Sequence, residues 1–462
     1  MSRRNGNAGS RLLLVGALTF AACLAGWLVY ACTHHPWDTI DPVDLQVYDS
    51  GGLIIRHVRP AYNPALRYPL YDWPKSQVAL KFTYTPFAAI FFSLVSYLPW
   101  PVLPRLSQLA NVFFLVAAGW FTAGVLSRTG LGHGHPAGDP AGWRPRLGGA
   151  LLGAGAGLLT EPVFRTIYLG QVNLLLMAVI IADLHQPGTR RFKGIATGLA
   201  AGIKLVPLVF IPYLLLTRRL RAATLATGAF AATVILGFIV VPGDSDDWWL
   251  HGLFFADGRT GFVGWGGNQS LRGLLTRLAG SINGATSWWV AGALVVAVAG
   301  LGCAVLLDRA GHTMLAILAT ALVGLLDSPI SWDHHWVWMV PGTMAAAWYA
   351  ARAWQAGRTA AAGWCAALAI GLVLIFAPWP GALWSVPVTG HGDFTNGLIW
   401  AAPNSKVSTY ALLGDNPAYK EYHWQGLQNL SGNAFVLTGL ALLILLTVIA
   451  VRTLRAAAAR PA

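Results

Sequence analysis

Long apolar runs broken by short polar punctuation dominate this chain. They recur at 12–31, 82–99, 106–127, 147–160, 173–186, 195–216, 222–241, 285–307, 312–327, 335–351, 361–379 and 433–451. Most approach the roughly 17–25 residues that a helix needs to cross the hydrocarbon core of a bilayer. The pattern predicts an all-α polytopic membrane protein, a bundle of about 11–12 transmembrane helices forming one domain over 1–462. Amphipathic helices are expected in the polar connections. The first run is too long, and too poorly followed by small residues, for a removable signal peptide.

Composition agrees with the pattern. Of 462 residues, 55% are hydrophobic and only 11% charged, with a mean hydropathy of +0.55, which excludes a soluble domain. The net charge of +13 is no sign of nucleic acid, because the basic residues fall between the apolar runs. Clusters at Arg3, Arg4 and Arg11, at Arg190, Arg191 and Lys193, and at Arg218, Arg219 and Arg221 mark cytoplasmic loops. Such clusters also suit the headgroups of membrane lipids.

This orientation predicts a multi-pass plasma-membrane protein whose working face is outside. The first outer loop is 32–80, and 242–284 and 380–432 are further outer loops. One connection resists the scheme. The glycine- and proline-rich stretch 128–146 carries Arg128, Arg144 and Arg146, yet counting spans puts it outside. Either it departs from the positive-inside rule, or 82–99 or 147–160 is re-entrant. The four cysteines, Cys23, Cys32, Cys303 and Cys365, have neither metal-site nor disulfide spacing and read as small apolar packers.

The polar residues that carry chemistry gather on the predicted outer face. Val43–Val58 suits a short helix lying along the membrane, on which Asp44 and Tyr48 share a side. Asp44 is either a helix cap or a base, and Tyr48 either bonds that carboxylate or walls a sugar. The loop continues through Arg56, His57, Arg59, Tyr62, Tyr68, Tyr71, Asp72, Trp73 and Lys75, aromatic-rich as interface belts are.

Between the basic clusters at 190–193 and 218–221 lie only about two dozen residues, too few to cross and return as full spans. This favours a hairpin turning at Lys204-Leu205-Val206-Pro207, with Lys204 at its tip as an intramembrane cation suited to a lipid phosphate. The alternative is one ordinary helix with Lys204 snorkelling or paired.

Gln171 and Asn173 at the mouth of a span, and Asn268 and Gln269 in an outer loop, have amides that both donate and accept, as sugar hydroxyls require. Arg272 adds a forked donor for phosphate. In Asp327-Ser328-Pro329-Ile330-Ser331-Trp332-Asp333-His334-His335-Trp336, Ser331 or Asp333 can cap the next helix and leave an anion site at its amino end. Neighbouring histidines on a helix diverge by about 100°, so only one of His334 and His335 is expected to face that site. No spacing supports zinc. A carboxylate base beside phosphate-friendly cations is what sugar transfer from a lipid phosphate needs.

Several of these strings resemble a known family. Val43-Asp44-Leu45-Gln46-Val47-Tyr48, Gly170-Gln171-Val172-Asn173, Gly202-Ile203-Lys204-Leu205-Val206-Pro207, Gly267-Asn268-Gln269-Ser270 and Ser328–Trp336 are similar to the polyprenol-phosphate-mannose-dependent α-(1,2)-mannosyltransferases, glycosyltransferase family 87 of the GT-C superfamily. The resemblance implies a GT-C type bundle and a membrane glycosyltransferase with a polyprenyl-phosphate-mannose donor. It implies inversion at the anomeric carbon and neither metal nor other cofactor. The implied acceptor is a glycolipid or lipoglycan of the phosphatidylinositol mannoside or lipomannan type.

Asp44 matches the catalytic aspartate of that family, one of His334 and His335 its donor-phosphate histidine, and Lys204 its hairpin lysine. Two other functions compete. One is an arabinofuranosyltransferase using decaprenyl-phosphoarabinose. The other is a lipid or polysaccharide transporter, disfavoured because the chain has no duplicated halves.

Overall fold

The computed structural model describes residues 2–34, 42–56, 70–71, 80–129, 142–253, 261–379, 396–400 and 420–458. Outside the described residues lie His57, Arg59, Tyr62, Tyr68, Asp72, Trp73 and Lys75, most of the connection 128–146 and most of the segment 380–432.

The chain is a polytopic helical membrane protein. Its helices are α1 (Ser2–His34), α2 (Val43–Ile55), α3 (Pro86–Ser93), α4 (Leu103–Ser127), α5 (Trp143–Leu158), α6 (Glu161–Leu169), α7 (Asn173–His185), α8 (Ile195–Ile203) and α9 (Phe210–Leu216). There follow α10 (Leu220–Val240), α11 (Pro242–Trp249), α12 (Leu271–Ala279), α13 (Ile282–Arg309), α14 (Thr313–Asp327), α15 (Met339–Gln355), α16 (Thr359–Phe376), α17 (Leu427–Gly432) and α18 (Ala434–Ala458). The strands described are the two-residue pair Pro378–Trp379 and Asn396–Gly397.

Six of the described helices are long and apolar enough to cross a membrane, and α5 with α6 forms a seventh candidate bent by 81°. The remaining apolar stretches are shorter, at Pro86–Tyr97, Asn173–His185, Val206–Leu216 and Thr313–Asp327.

Small residues set the helix directions. A side chain on Gly9 would touch Pro145, one on Gly16 would strike Gly148, and Gly155 lies on Phe20 and Cys23. The two numberings rise together, so α1 and α5 run parallel and start on one face. Arg144 reaches Ser10 there at 3.2 Å. Arg128 donates to the carbonyl of His185 at 2.9 Å, and Arg146 stands 3.4 Å from the His185 ring. Arg221 donates to the carbonyls of Thr189 and Arg190.

The connection 128–146 therefore joins the other basic clusters on one face, and the span count that put it opposite is corrected. The count fails at 82–99. That stretch folds as α3 plus a 3₁₀ turn, Val95–Tyr97, and covers only Pro86–Tyr97. At 1.5 Å per residue this is roughly 18 Å, well short of the ~30 Å hydrocarbon core.

The predicted hairpin is present. Gly194 packs on Ala222, Gly198 on Ala226 and Gly202 on Thr233, so α8 runs parallel to α10. The turn at Thr217–Arg219 then makes α9 run back antiparallel to α10. Lys204 leaves the helix in an extended conformation (φ −138°, ψ 130°), and Pro207 follows in a 3₁₀ turn. Gly202 lies level with Thr233, about eleven residues or ~16 Å along α10 from Ala222, so the tip reaches roughly half the depth of a bilayer core.

Around this hairpin, α14 is buried along nearly its whole length. Ile239, Val298 and Trp364, on α10, α13 and α16, point away from the core. Cys23, Cys303 and Cys365 are free thiols.

Candidate active site

Asp44 lies in the first turn of α2, but Pro42 is the residue at the cap position, with no side-chain bond. The capping alternative for Asp44 is therefore out. Its carboxylate is half-buried near the positive end of the helix dipole. Two glycines bring α2 against α3. A side chain on Gly51 would strike the Phe82 ring at 2.6 Å, and one on Gly52 the carbonyl of Phe92 at 2.6 Å. Arg56 fastens the far end through the carbonyl of Ser96 and stacks 3.6 Å over Tyr97.

A tight turn supplies the next groups. Gly170 has φ +69°, a conformation that favours glycine, and lies directly on Leu45. It reverses the chain between α6 and α7 and sets Gln171 beside α2. Gln171 accepts from Tyr48 at 2.7 Å and from Tyr84 at 3.2 Å, and its amide helps to stabilise the Asp44 carboxylate. Tyr48 thus reaches the carboxylate through Gln171, and its ring is stacked on Phe92 at 4.1 Å. The direct Tyr48–Asp44 bond considered from sequence is replaced by this bridge.

The hairpin tip enters from the opposite side. Thr85 caps α3 and also bonds the carbonyl of Gly202, tying the start of α3 to the end of α8. Lys204 then donates to Asn173 at 2.9 Å and to Nε2 of His335 at 2.8 Å. Asn173 donates in turn to the carbonyl of His334 at 2.9 Å. Its amide is thereby tied to Lys204 and the histidine turn, and it lines the cavity beside them.

Both histidines lie among these side chains, where only one was expected to. Asp333–Trp338 forms a 3₁₀ turn before α15, and the two rings lie 4.8 Å apart at 85°. His335 accepts from Lys204, because an ammonium only donates. His334 stands with Nδ1 3.1 Å from Asp333 Oδ1, and its Nε2 is buried without a hydrogen-bond partner among the described residues. Neither Ser331 nor Asp333 caps this turn. Trp332 is its cap residue, the Ser331 N–H is taken by Asn268, and Asp333 accepts the N–H of His334.

Asn268 and Gln269 are also corrected. Both are 0% exposed. The Asn268 amide bonds the backbone of Val263, Ser270, Pro329 and Ser331. Gln269 bonds that of Gly266, Gly432, Phe435 and Val436. These amides weld the loop before α12 to the Ser328–Trp336 segment and to α18, with their groups turned to backbone. Arg272 stacks 4.7 Å over Trp289 on α13. It is not among the charges that act on Asp44.

Those charges are His334, Lys204 and Arg165. Burial pushes the Asp44 carboxyl above its ordinary value, opposed by His334, the Gln171 bond, Lys204 and Arg165. Arg165 was not assigned from sequence, nor were Glu161 and Tyr84. Glu161 and Arg165 stand four apart on α6 and read as an ordinary helical ion pair. Only the fold turns Arg165 to Asp333, at 2.9 Å. The assembled site holds one carboxylate able to take a proton, facing three cationic or protonatable groups able to receive an anion.

The model of glycosyltransferase family 87 matches residues 82–329, more than half of the chain. The match includes the hairpin and the Gln171 turn, and stops short of Asp44 and His334. A polyprenol-phosphate-mannose-dependent alpha-(1-2)-phosphatidylinositol mannoside mannosyltransferase of Mycobacterium tuberculosis is 32% identical over 336 residues, 73% of this chain and 76% of its own length. A phosphatidylinositol pentamannoside mannosyltransferase of the same species is 30% identical over 380 residues, 82% of each chain. A phosphatidylinositol mannoside mannosyltransferase of Mycolicibacterium smegmatis is 31% identical over 318 residues, 67% of this chain and 70% of its own. No solved structure matches the chain. With the family model matching more than half of the chain and these likenesses covering two thirds or more of it, this chain belongs to glycosyltransferase family 87.

Proposed function

We propose that this enzyme transfers a mannosyl residue from a polyprenyl-phosphate-mannose donor to a glycolipid acceptor, on the outer face of the plasma membrane and with inversion at the anomeric carbon. Asp44 removes the proton of the acceptor hydroxyl as its oxygen bonds to C1 of the sugar. The bond from C1 to the phosphate oxygen breaks, and the electron pair leaves with polyprenyl phosphate. His334 and Lys204 stabilise the charge that grows on that phosphate, so the leaving group departs without full protonation. His335 holds the Lys204 ammonium in place.

The observation that carries this reading is the meeting of Asp44 with His334 and Lys204 from three separate elements, with Lys204 at the hairpin tip, away from the basic clusters. The relatives' names supply the sugar, the lipid phosphate and the phosphatidylinositol mannoside class of acceptor. Purified protein given mannosyl and arabinosyl lipid phosphates side by side, with a phosphatidylinositol mannoside acceptor, should move mannose alone to give an α-linked product. Transfer of arabinose alone, or of neither sugar, overturns the proposal.

A further inference from the structure

Behind His334 lies a second layer of charge that the transfer step does not use. Glu161 opens α6 with its side chain 0% exposed. One oxygen, Oε1, accepts from the indole N–H of Trp400, while Oε2 lacks a conventional partner among the described residues. A side chain on Gly397 would overlap Oε2, so the Asn396–Trp400 segment closes over the carboxyl. The carboxyl groups of Glu161 and Asp333 are within hydrogen-bonding reach of each other. Asp333 in turn faces Arg165 at 2.9 Å, accepts the backbone N–H of His334 at 2.8 Å and stands 3.1 Å from Nδ1 of that ring.

Two carboxylates cannot both be ionised in contact in a buried place, and a hydrogen bond between two carboxyl oxygens needs a proton on one of them. The surroundings assign that proton. Asp333 has a guanidinium and two N–H donors to stabilise its negative charge. Glu161 has one neutral indole donor, on Oε1, and Arg165 makes its ion pair with Asp333.

We propose that Glu161 is a positioning residue, held protonated, whose carboxyl O–H donates to Asp333 and thereby fixes the carboxylate that orients His334. With Asp333 accepting the Nδ1–H of His334, the ring is held with Nε2 as its unpartnered atom among the described residues, the one left to bond the phosphate. Without the Glu161 hydrogen bond, Asp333 is free to turn wholly to Arg165, and the ring loses its anchor. The inference rests on the phosphate-binding role given to His334 above and adds the device that aims it.

The charge His334 meets is largest on the departing phosphate. Glu161→Leu should therefore lower kcat on the order of 10- to 100-fold, the effect of losing a hydrogen bond to a charged group, with the donor KM nearly unchanged. Glu161→Gln keeps a donor toward Asp333 and an acceptor for Trp400, and should stay within about threefold of wild type. Binding of decaprenyl phosphate, followed by tryptophan fluorescence, should weaken in Glu161→Leu as it does in His334→Ala, and hold in Glu161→Gln.

Folded Glu161→Gln protein as damaged as Glu161→Leu would overturn the proposal, since it would mean that an ionised carboxylate is needed. Full kcat in Glu161→Leu would overturn it too. Should Glu161→Leu fail to fold, Glu161→Gln alone decides. If wild type moves neither sugar but still binds decaprenyl phosphate, the transfer reading falls while the binding arm still tests Glu161. If wild type does not bind that lipid, both readings fall.

Discussion

Two groups of buried charge among the described residues are managed in opposite ways. On the basic face, Arg219 lies 2.9 and 3.1 Å from the two oxygens of Asp308, and Tyr213 bonds both residues. Asp183 accepts the N–H groups of Gly194 and Thr197 and the hydroxyl of Thr197, while Lys193 caps the carbonyls of Leu184 and Gln186. Each charge there is spent on a partner, and together they clamp the two ends of the hairpin to α7 and α13.

The group around the hairpin tip leaves charge in hand. Among the described residues, no cation lies within ion-pair distance of Asp44, and Lys204 is held by two neutral groups, Asn173 and His335. His334 keeps Nε2 open. Leaving buried polar atoms underpaired costs stability, and the cost is sensible where a ligand completes the set. Satisfied charge is architecture; charge left open is what the proposed phosphate would complete.

The largest test of this contrast is Asp44→Asn, which removes the base but keeps shape and hydrogen bonding. Transfer should fall on the order of 10²- to 10⁴-fold in a radiolabelled-mannose assay, with decaprenyl phosphate binding retained. Turnover near wild type would end the base assignment. The mirror experiment is Asp308→Asn on the basic face. It should lower stability by about 3 kcal/mol, since it strands a largely buried guanidinium, yet leave kcat per folded molecule as it was. A kcat loss without a stability loss would break the division between the two groups.

Next in size is Lys204→Met, which should weaken decaprenyl phosphate binding about tenfold and flatten its salt dependence. Unchanged binding would make Lys204 structural. The pH profile follows. A base must be ionised, so raising the Asp44 pKa above its ordinary 3.8 moves the acid limb of kcat/KM upward, with activity lost as pH falls through that raised value. Asp49 on the same helix is also lifted, to about 6, by burial. Asp49→Asn is therefore the control that should leave the limb in place. The smallest expected effect is that of a chelator, which should leave the rate unchanged; loss restored by Mg²⁺ would contradict the metal-free chemistry.

Much of this organisation was legible in the chain. Apolar runs marked most of the helices, because solvation by lipid demands hydrophobicity wherever a helix meets it, though α1 begins about ten residues before its run and the run 195–216 is broken at its turn. The hairpin was legible too, since two basic clusters about two dozen residues apart leave no room for two crossings. Asp44 stood out as a carboxylate in a greasy chain. Asn268 and Gln269 were misread, because an amide bonds backbone and sugar with the same two groups, and sequence does not say which partner is nearer. Arg165 and Glu161 were passed over for the complementary reason, that their i, i+4 spacing has a sufficient local explanation.

What the sequence determined by itself is therefore what depends on local composition: which stretches form helices, where the basic clusters fall, and which strings carry the family likeness. Which short stretch fails to cross, which histidine atom is left open, and which carboxyls meet were decided only by the tertiary structure. Those facts rest on contacts between residues far apart in the chain. Asp44 and His334 come from opposite ends of the described core, and each alone is an ordinary helix-end residue. Their chemistry begins only when packing removes water and brings their charges together, and no pattern along a single stretch of chain encodes that approach.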